Sequence, residues 1–383
     1  MESKPFSHKN ASIFISAGEH SGDNHASELM KQLIARLPGC DIKFSGLGGD
    51  KMSAVGLDPL YHVKDLATVG FTDVIKKYSF FKNAIRQSAE FIKQNDPDVV
   101  ILVDYPGFNI RLAEAIRKFY TKKIIYYISP QLWAWHESRV NKIRKYIDLM
   151  LVVFPFEVDF YSKHGVKAEF VGHPLIKKIK EFRESNQLIE RDGNIKRITL
   201  LPGSRKDEIK KHMPVLIEAM KKLQNSITAE IYISIAPGME SHFDEFRDLM
   251  PGITLSNEPS YRLISNSDLV LTKAGTSTME CTLLQVPYLI FYRTFPINYY
   301  ILKPIVKVDK LGIANILLGK EAVKEFIQND FTAENLAAES IKILSNESYR
   351  KQMLDDLRKI WDTLGSKDAS QNAASLIVER AGL

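Results

Sequence analysis

The sequence is poor in the features that support disulfide-bonded, zinc-binding or membrane-spanning proteins. Its 383 residues include only two cysteines, Cys40 and Cys281, which lie far apart and outside any CxxC pair. A disulfide framework or a zinc cluster is therefore not expected, and a reducing cytoplasm fits this composition. The polar segment Met1 to Asn10 lacks the apolar core of a signal peptide, and no apolar run approaches the roughly 18 residues that cross a bilayer.

Sequence motifs of several common chemistries are also missing. The chain contains neither GxxxxGK[ST] nor GxGxxG, so its glycine-rich loops differ from a P-loop and from a dinucleotide fingerprint. Its nine histidines form no HExxH motif, and the close pair His20 and His25 is more typical of a structural role. No Ser-His-Asp order can be assigned. We expect neither a metal nor a cofactor.

The charge balance is mildly basic, with a formal net charge of +6. Such an excess suits an acidic ligand such as a nucleotide, a phosphate or an anionic lipid surface. A solvated surface that is basic for no functional reason accounts for it equally well. Charge alone therefore does not choose among these classes.

Short apolar runs alternate with longer helical patterns along the chain. Near-continuous apolar runs are typical of strands that helices cover on both faces. We predict strands at residues 12–16, 98–104, 123–129, 148–154, 197–201, 229–235, 268–272 and 288–292. We predict helices at residues 24–36, 110–120, 137–146, 156–164, 208–223 and 277–284, and in several pieces within 332–381. This alternation predicts βαβ units and parallel sheets.

The strand-helix pattern restarts in the second half, and the chain length also predicts two domains. A charged stretch from Lys177 to Lys196 without a strand signal is the predicted linker. We predict an α/β fold of two Rossmann-like, doubly wound domains, residues 1–176 and 177–349, with helices of about 350–383 packing on the first domain or on a partner's. Doubly wound sheets bind ligands at the carboxyl ends of their strands, here in an interdomain cleft.

The loop after the first strand, AGEHSGD at residues 17–23, is the first candidate site. Its glycines permit a tight turn, and Ser21 or Asp23 would cap the helix that starts near Asn24. The N–H groups at that helix N-terminus would serve an anion or a sugar hydroxyl. A plain glycine-rich turn is the alternative. Glu19 favours a site, because a carboxylate at a strand end has no packing reason to be there.

The second candidate, DYPGFN at residues 104–109, follows the most apolar strand. Partial desolvation of Asp104 at the end of this strand would raise its pKa and suit it to accept a proton. An aspartate that only starts a Pro-Gly turn is the alternative, and Asn109 fits a helix N-cap equally well.

Two loops of the second half are suited to an anion. In LPGSR at residues 201–205, the loop backbone offers donors and Arg205 supplies a forked cation for phosphate. KAGTSTME at residues 273–280 opens a helix whose N-terminus would hold a diphosphate. Glu280 is placed to accept two ribose hydroxyls, but with Ser277 it also fits the S-x-x-E capping box. Both roles for Glu280 stay open.

The segment at residues 69–86, VGFTDVIKKYSFFKNAIR, combines apolar, aromatic and basic residues at helical spacing. Its apolar positions are Val69, Phe71, Val74, Ile75, Tyr78 and Phe81. This combination indicates an interfacial membrane or acyl-chain contact, and an ordinary core-facing stripe is the alternative. A second candidate of the same kind runs from Phe295 to Lys310.

Taken together, these loops resemble one family, the lipid-A-disaccharide synthases, which are glycosyltransferases of lipopolysaccharide assembly. The matching stretches, in chain order, are AGEHSGD (17–23), DYPGFN (104–109), SPQLWAW (129–135), FPFEVDFY (154–161), FVGHPL (170–175), LPGSRKDEI (201–209), AGTSTME (274–280) and ANILLG (314–319). The resemblance implies a GT-B fold and transfer of a 2,3-diacylglucosamine unit from UDP to the 6-hydroxyl of 2,3-diacylglucosamine 1-phosphate (lipid X). It also implies a cytoplasmic enzyme on the inner-membrane surface of a Gram-negative bacterium, and it leaves a homodimer open.

The resemblance gives the residues their expected roles. Asp104 is the expected general base of an inverting displacement. The expected acceptor-side residues are Glu19, Ser21, Gly22, Asp23 and Asn109. The expected UDP-binding and donor-binding residues are Gly203, Ser204, Arg205, Gly275, Thr276, Ser277, Glu280 and Asn315. Two positions depart from the family pattern, with His20 in place of a small residue and Ala314 in place of a proline.

Two other functions are also compatible with these residues. A UDP-sugar 2-epimerase shares the two-domain plan but acts without an acceptor. A non-catalytic membrane-surface binding protein would tolerate loss of Asp104 and Glu280. Acyl-chain preference and oligomeric state do not follow from the sequence.

Overall fold

The computed structural model describes residues 10–67, 74–135, 137–185, 195–249, 251–295 and 308–383. The chain forms two compact units. Unit 1 comprises residues 1–174 together with 366–383, and unit 2 comprises residues 175–365. Each unit contains one parallel sheet with helices.

Unit 1 is built on a seven-stranded parallel sheet with the strand order β3-β2-β1-β4-β5-β6-β7. Its strands are β1 (Asn10–Ala17), β2 (Asp41–Gly48), β3 (Leu57–His62), β4 (Val99–Val103), β5 (Lys123–Tyr127), β6 (Leu149–Val152) and β7 (Ala168–Phe170). The direction of strand succession reverses between β1 and β4. Ligands of open α/β sheets bind beyond the carboxyl ends of the strands at such a switch point.

The helices of unit 1 follow its strands. They are α1 (His20–Arg36), α2 (Asp50–Ser53), α3 (Val63–Ala67), α4 (Val74–Asn95), α5 (Pro106–Ile116), α6 (Val140–Tyr146) and α7 (Pro155–Lys163), with a 3-10 turn at Glu137–Arg139. Strand β4 is buried on both faces, so its run of valine, isoleucine and leucine packs against helices on each side. One of these core layers includes Leu29 and Leu33 of α1, and the other includes Ala84 of α4 and Leu112 of α5.

Unit 2 repeats this plan with six parallel strands in the order β10-β9-β8-β11-β12-β13. Its strands are β8 (Lys196–Leu201), β9 (Ala229–Ser234), β10 (Ile253–Ser256), β11 (Leu269–Lys273), β12 (Tyr288–Tyr292) and β13 (Glu325–Ile327). Its helices are α8 (Leu175–Ser185), α9 (Lys206–Gln224), α10 (Ser260–Ser265), α11 (Thr276–Leu284), α12 (Ile313–Leu318), α13 (Ala333–Ser345) and α14 (Glu347–Leu364), with 3-10 turns at Glu240–Leu249 and Gln328–Asp330. The switch point of this sheet lies between β8 and β11.

The last helix, α15 (Ala369–Ala381), belongs to unit 1, whereas α14 belongs to unit 2. Ala373 and Ile377 of α15 are fully buried in the core layer that also contains α1. Of the C-terminal helices, it is therefore α15 that completes the first unit.

The α/β fold with two parallel sheets that the sequence predicts is confirmed. Five strands are found in addition to the predicted ones: β2, β3, β7, β10 and β13. The helix expected from Asn24 begins at His20, and the helix expected from residue 110 begins at Pro106, whose fixed φ suits a first helical turn. The stretch expected to be a linker begins as the helix α8, and residues 186–194 lie outside the described ranges.

The predicted lipid-contacting segment is described only in part. Val69 and Phe71 lie outside the described residues, as do the side chains of Val74, Ile75 and Tyr78 within α4. Phe81 is half-buried, and its ring lies 6.2 Å from that of Tyr105 and 6.3 Å from that of Phe108. Phe81 therefore packs against the core of unit 1. None of the helices in the described ranges is long and apolar enough to span a membrane.

Candidate active site

The turn after β4 has a strained backbone at the switch point of unit 1. Asp104 and Tyr105 adopt φ angles of 49° and 50°, a left-handed conformation uncommon for non-glycine residues. Such strain persists only where the surrounding structure fixes it, and it concentrates at functional sites. The turn directs the chain from β4 into α5 and leaves the Asp104 side chain half-buried at the carboxyl edge of the sheet.

The buried side chain of Asn109 stabilises this turn through hydrogen bonds. Its amide nitrogen donates to the carbonyl oxygens of Asp104 (2.7 Å) and Val103 (3.2 Å), and its amide oxygen accepts from the Ser16 hydroxyl at 2.8 Å. Asn109 is fully buried, and the N-cap of α5 is Tyr105. This corrects both expectations for Asn109, because its side chain joins the ends of β1 and β4 and is not available to an acceptor.

The Asp104 carboxyl group lies in an environment that favours proton acceptance. Burial raises its pKa above the ordinary aspartate value, and the negative charge of Glu19 raises it further, while a hydrogen bond from the Tyr105 backbone opposes the shift. Glu19 and Ser21 follow β1 and are exposed, and the charge of Glu19 acts on Asp104. Asp104 is therefore a partly buried carboxyl group with a raised pKa at the switch point of unit 1.

Asp23 has a structural role that the sequence did not reveal. Its carboxylate accepts the backbone N–H groups of Gly49 (2.7 Å), Met52 (3.1 Å) and Lys51 (3.2 Å). It is 1% exposed and caps the start of α2, whereas the N-cap residue of α1 is Glu19, which makes no side-chain capping hydrogen bond. The expectations that Asp23 caps its own helix and lines the acceptor side are therefore corrected.

The glycines of the first loop allow close packing of the backbone. A Cβ atom at Gly18 would lie 1.9 Å from Cδ1 of Tyr105, so a side chain there would displace the ring that follows Asp104. At Gly22, a Cβ atom would lie 3.3 Å from the Cβ of Ala17. Gly18 thus lets the β1–α1 loop approach the β4–α5 turn, and Gly22 lets α1 pack close to the end of β1. His20 lies exposed in the first turn of α1.

Unit 2 carries a pocket of about 690 Å³ at the carboxyl edge of its sheet. The predicted donor residues that line it are Gly203, Ser204, Arg205, Gly275, Thr276, Ser277 and Glu280. Residues that were not among the predicted site residues also line it, among them Ser234, Asn257, Glu258, Ser260 and Lys273. The loops after β8, β9, β10 and β11 therefore converge on one cavity at the switch point.

The Glu208 carboxylate contacts both cations of this pocket, Lys273 and Arg205. Glu208, whose side chain is 14% exposed, accepts from the Lys273 ammonium at 3.1 Å and from the Ser204 backbone N–H at 3.1 Å. The Arg205 guanidinium lies 3.6 Å from the same carboxylate and is 81% exposed. Gly203 adopts φ +128°, and a Cβ atom there would lie 2.4 Å from Oε2 of Glu208. The glycine thus lets the loop close over Glu208.

Glu280 does not form the capping box that its spacing with Ser277 allows. The N-cap of α11 is Gly275, which has no side chain to cap with, and the Ser277 hydroxyl lies 2.6 Å from that of Thr272. The Glu280 carboxylate accepts instead from the Ser260 hydroxyl at 2.7 Å. Glu280 is therefore held by α10 and faces the pocket, beside the N-terminus of α11.

Asn315 lies outside this pocket. It is 1% exposed, and its amide oxygen accepts the N–H groups of Ala322 and Val323 at 2.8 and 2.9 Å. Its amide nitrogen donates to the Val323 carbonyl and, at 2.7 Å, to Glu325. The structure thus gives Asn315 a supporting role between α12 and β13 in place of the expected donor contact. The departing residue Ala314 is fully buried beside it.

Three charged residues with roles in these contacts were not among the predicted site residues: Lys273, Glu208 and Glu157. Lys273 had a signal in the sequence, a lysine at a strand end just before the glycine turn, whereas Glu208 and Glu157 become evident only through tertiary contacts. Glu157 is 1% exposed in unit 1. Within the described ranges, no group of three or more His, Cys, Asp or Glu side chains is arranged to hold a metal ion.

Solved structures with a similar fold define the class of this protein. UDP-GlcNAc 2-epimerase from Neisseria meningitidis, bound to UDP-GlcNAc, matches with a TM-score of 0.60 at 12% identity, covering 97% of this chain and 98% of that chain. MurG from Acinetobacter baumannii matches with a TM-score of 0.60 at 17% identity, covering 97% and 99%. The two parallel α/β sheets place the chain in the GT-B fold class.

The sequence relatives identify the family. The family model described as "Lipid-A-disaccharide synthetase" matches residues 13–379. Lipid-A-disaccharide synthase 1 of Legionella pneumophila (strain Lens) is 37% identical over 374 residues, covering 96% of both chains. Lipid-A-disaccharide synthase of Geobacter metallireducens is 34% identical over 383 residues, covering 97% of this chain and 98% of the relative. The chain belongs to the lipid-A-disaccharide synthase family and is a glycosyltransferase of lipid A biosynthesis.

Proposed function

We propose that this enzyme transfers the 2,3-diacylglucosamine unit of UDP-2,3-diacylglucosamine to the 6-hydroxyl of 2,3-diacylglucosamine 1-phosphate, with inversion at the anomeric carbon and release of UDP. The observation that carries this proposal is the pocket of unit 2, a cavity of about 690 Å³ lined by two cations, two carboxylates and a helix N-terminus. Pockets for small ligands have volumes of roughly 300–1,000 Å³. The pocket thus has the size and chemistry for a nucleoside diphosphate.

The groups of the pocket match the parts of UDP. The Lys273 ammonium and the Arg205 guanidinium suit the diphosphate, as do the N–H groups at the start of the nine-residue helix α11. The Glu280 carboxylate accepts hydroxyl protons, so it suits the ribose, and Ser260 fixes its position. The same cations and N–H groups stabilise UDP as the leaving group, because the negative charge on its diphosphate increases in the transition state.

Asp104 is the proposed general base of unit 1. It takes the proton of the acceptor 6-hydroxyl as that oxygen attacks the anomeric carbon, the bond to UDP breaks, and the configuration inverts. Its raised pKa brings the carboxylate closer to the pH at which it works, which favours proton transfer. Glu19 and Ser21 are the proposed acceptor contacts, since both are exposed in the loop after β1, and Glu19 acts electrostatically on Asp104.

The proposed reaction needs neither a metal nor a cofactor. The cations of the pocket and the α11 N-terminus neutralise the leaving group, which is the task that a divalent metal performs in other transferases. Activity that persists in excess EDTA is the expected result. Activity that is lost with EDTA and restored by a divalent cation would contradict this part of the proposal.

The proposed site of action is the cytoplasmic surface of the inner membrane, because both proposed substrates carry acyl chains. The exposed Lys82 of α4 provides positive charge for such a surface, whereas Arg86 is paired with Glu90 at 3.1 Å. The family assignment favours transfer over the 2-epimerase alternative, whose likeness to this chain is confined to the fold. A homodimer remains a prediction.

Product analysis tests the reaction directly. We expect the enzyme, given both lipid substrates, to form a disaccharide 1-phosphate that carries four acyl chains, and to form none when either substrate is omitted. The one-bond carbon–hydrogen coupling at the new anomeric centre distinguishes a β-1,6 linkage from its α counterpart. An α linkage would contradict inversion, and conversion of the donor to a UDP-sugar epimer would contradict transfer.

A further inference from the structure

The loop after β5 starts with a second strained residue at the carboxyl edge of unit 1. Ile128 adopts φ 64°, which for a β-branched side chain is a genuine outlier. The loop continues to Trp135, whose side chain is 48% exposed. Such outliers persist where the surroundings fix them, and they concentrate at ligand sites. The Ile128 conformation therefore marks a loop whose shape is fixed by its surroundings.

A buried carboxylate holds the loop. Oε1 of Glu157 accepts from the Ser129 hydroxyl at 2.7 Å and from the Trp133 indole N–H at 3.1 Å. Its Oε2 accepts the backbone N–H groups of Val153 and Phe154 at 3.2 and 3.0 Å. Burial raises the pKa of Glu157 to about 7, although all four donors oppose the shift. Glu157 thus ties the loop to the β6–α7 turn.

The Trp133 ring that Glu157 orients belongs to a row of aromatic rings. Trp133 meets Phe156 edge to face with centroids 5.0 Å apart, and Phe156 stacks on Phe154 at 5.8 Å. Phe154 is buried, whereas Trp133 and Phe156 remain partly exposed. Trp133 follows β5 and Phe156 follows β6, so both rings lie along the carboxyl edge that also carries Asp104.

The partial exposure of Trp133 and Phe156 indicates a binding surface and not ordinary core packing. A core role would bury both rings. The capping of α7 explains the contacts of Oε2 of Glu157 with the backbone, but it does not require the contact of Oε1 with the Trp133 indole. An acyl chain laid against the rings gains from leaving water in proportion to the apolar area covered. Glu157 is 1% exposed and does not itself reach a ligand.

We propose that Trp133 and Phe156 form the surface of unit 1 that receives an acyl chain of the lipid acceptor, and that Glu157 is a positioning residue that orients the Trp133 indole. This inference rests on the proposed function, since it requires a diacylated acceptor that binds to unit 1. It assigns the aromatic motif after β5 to recognition of the acyl chain, and Asp104 to the hydroxyl of the same molecule.

Intrinsic fluorescence gives a readout independent of turnover. The three tryptophans of the chain are Trp133, Trp135 and Trp361. Trp361 lies in unit 2 under the Arg183 guanidinium, so Trp361→Phe leaves only the two tryptophans of the loop as emitters. We expect 2,3-diacylglucosamine 1-phosphate to change the emission of this W361F protein in a saturable manner.

Variants at Trp133 then measure the contact. Trp133→Ala is expected to weaken acceptor binding and raise the acceptor KM by about tenfold or more, which is the loss of roughly one large apolar contact. The donor KM and kcat are expected to stay within about twofold, since the reacting groups are untouched. Trp133→Phe keeps most of the ring and is expected to cost only a fewfold. Acceptor binding by W133A equal to wild type would overturn the proposal.

A double variant tests the positioning role. Glu157→Gln places an NH2 group against either the Ser129 and Trp133 donors or the two backbone N–H donors. Either orientation weakens the tie between the loop and the β6–α7 turn, so its acceptor KM is expected to rise as well. If Glu157 acts through Trp133, E157Q adds nothing to the acceptor KM of W133A. An additive loss would show that Glu157 supports the fold of unit 1 instead. Thermal unfolding identifies an E157Q protein that fails to fold. In that case W133F, which keeps an aromatic ring but lacks the indole N–H, tests the hydrogen bond to Glu157.

Acceptors without acyl chains test the ligand assignment. The difference between W133A and wild type is expected to disappear with glucosamine 1-phosphate, which has no chain to lose. A difference that persists would assign the rings to the sugar and overturn the acyl-chain assignment. If the wild-type enzyme neither binds the diacylated acceptor nor releases UDP with it, the proposed function fails, which is a different result from any of these.

Discussion

Replacing Lys273 by methionine should weaken UDP binding by about 100-fold. The Lys273 side chain is 20% exposed, and its ammonium lies 3.1 Å from Glu208, so it lines the pocket as a fixed cation. A hydrogen bond to a charged group contributes about 1.5–3 kcal/mol, or roughly 10- to 150-fold in Kd. The variant also leaves the Glu208 carboxylate without its nearest cation, and its negative charge then repels the diphosphate. We therefore expect an effect in the upper half of this range.

Calorimetric titration with UDP measures this effect. Lys210→Met is the matched control, since Lys210 is exposed on α9 outside the pocket, and its Kd should stay within about twofold of wild type. In the double variant K273M/E208Q, the repelling charge is gone while an amide oxygen remains for the Ser204 N–H, so binding should recover at least about threefold relative to K273M. A K273M protein that binds UDP as well as wild type would refute the reasoning. A double variant no better than K273M would refute the part assigned to Glu208.

Three further changes separate the roles in unit 1. Asp104→Asn should lower kcat by about 10²- to 10⁴-fold, as expected for loss of a positioned base, and should leave UDP affinity unchanged. Glu19→Gln should move the acidic limb of the kcat/KM profile to lower pH. The charge of Glu19 raises the pKa of Asp104, so its removal lowers that pKa, and the base stays deprotonated in more acidic solution; a limb that moves to higher pH contradicts this. Asp23→Ala should lower the free energy of unfolding by about 3 kcal/mol in urea titrations, since backbone donors of α2 lose their acceptor, while Asp23→Asn should cost less; equal losses in both variants would rule out the cap.

The central strands were predictable from the sequence because they are buried on both faces. In β4 and β12 almost every side chain is buried, so the apolar run is continuous. The missed strands lie at or near the sheet edges. Strand β3 contains a proline and exposed positions, and β7 and β13 have three residues each. Edge strands carry too little apolar signal to separate them from loops.

The positions of the candidate site residues were predictable in part. Loops that follow neighbouring parallel strands must meet at one edge, which is why the predicted residues after β8 and β11 line the same pocket. The same rule does not tell a ligand contact from a buried support. Three polar residues of the recognised motifs use their side chains for hydrogen bonds to backbone groups: Asp23, Asn109 and Asn315.

The partners of buried carboxylates could not be predicted from the sequence. Glu208 binds Lys273, which lies 65 residues further along the chain, and Glu157 binds Trp133 from another loop. The capping-box spacing of Ser277 and Glu280 is a local pattern, and a contact from α10 replaces it. In each case the local sequence is compatible with several partners for the carboxylate, and the tertiary structure determines which of them it contacts.

Release of UDP from UDP-2,3-diacylglucosamine tests the central claim most directly. The enzyme is incubated with this donor alone and with the donor plus 2,3-diacylglucosamine 1-phosphate, and UDP is measured over time. We expect UDP to appear only when the acceptor is present, and the Asp104→Asn variant to release it about 10²- to 10⁴-fold more slowly. Release at the same rate with and without the acceptor, or none with both substrates present, would contradict the proposed transfer.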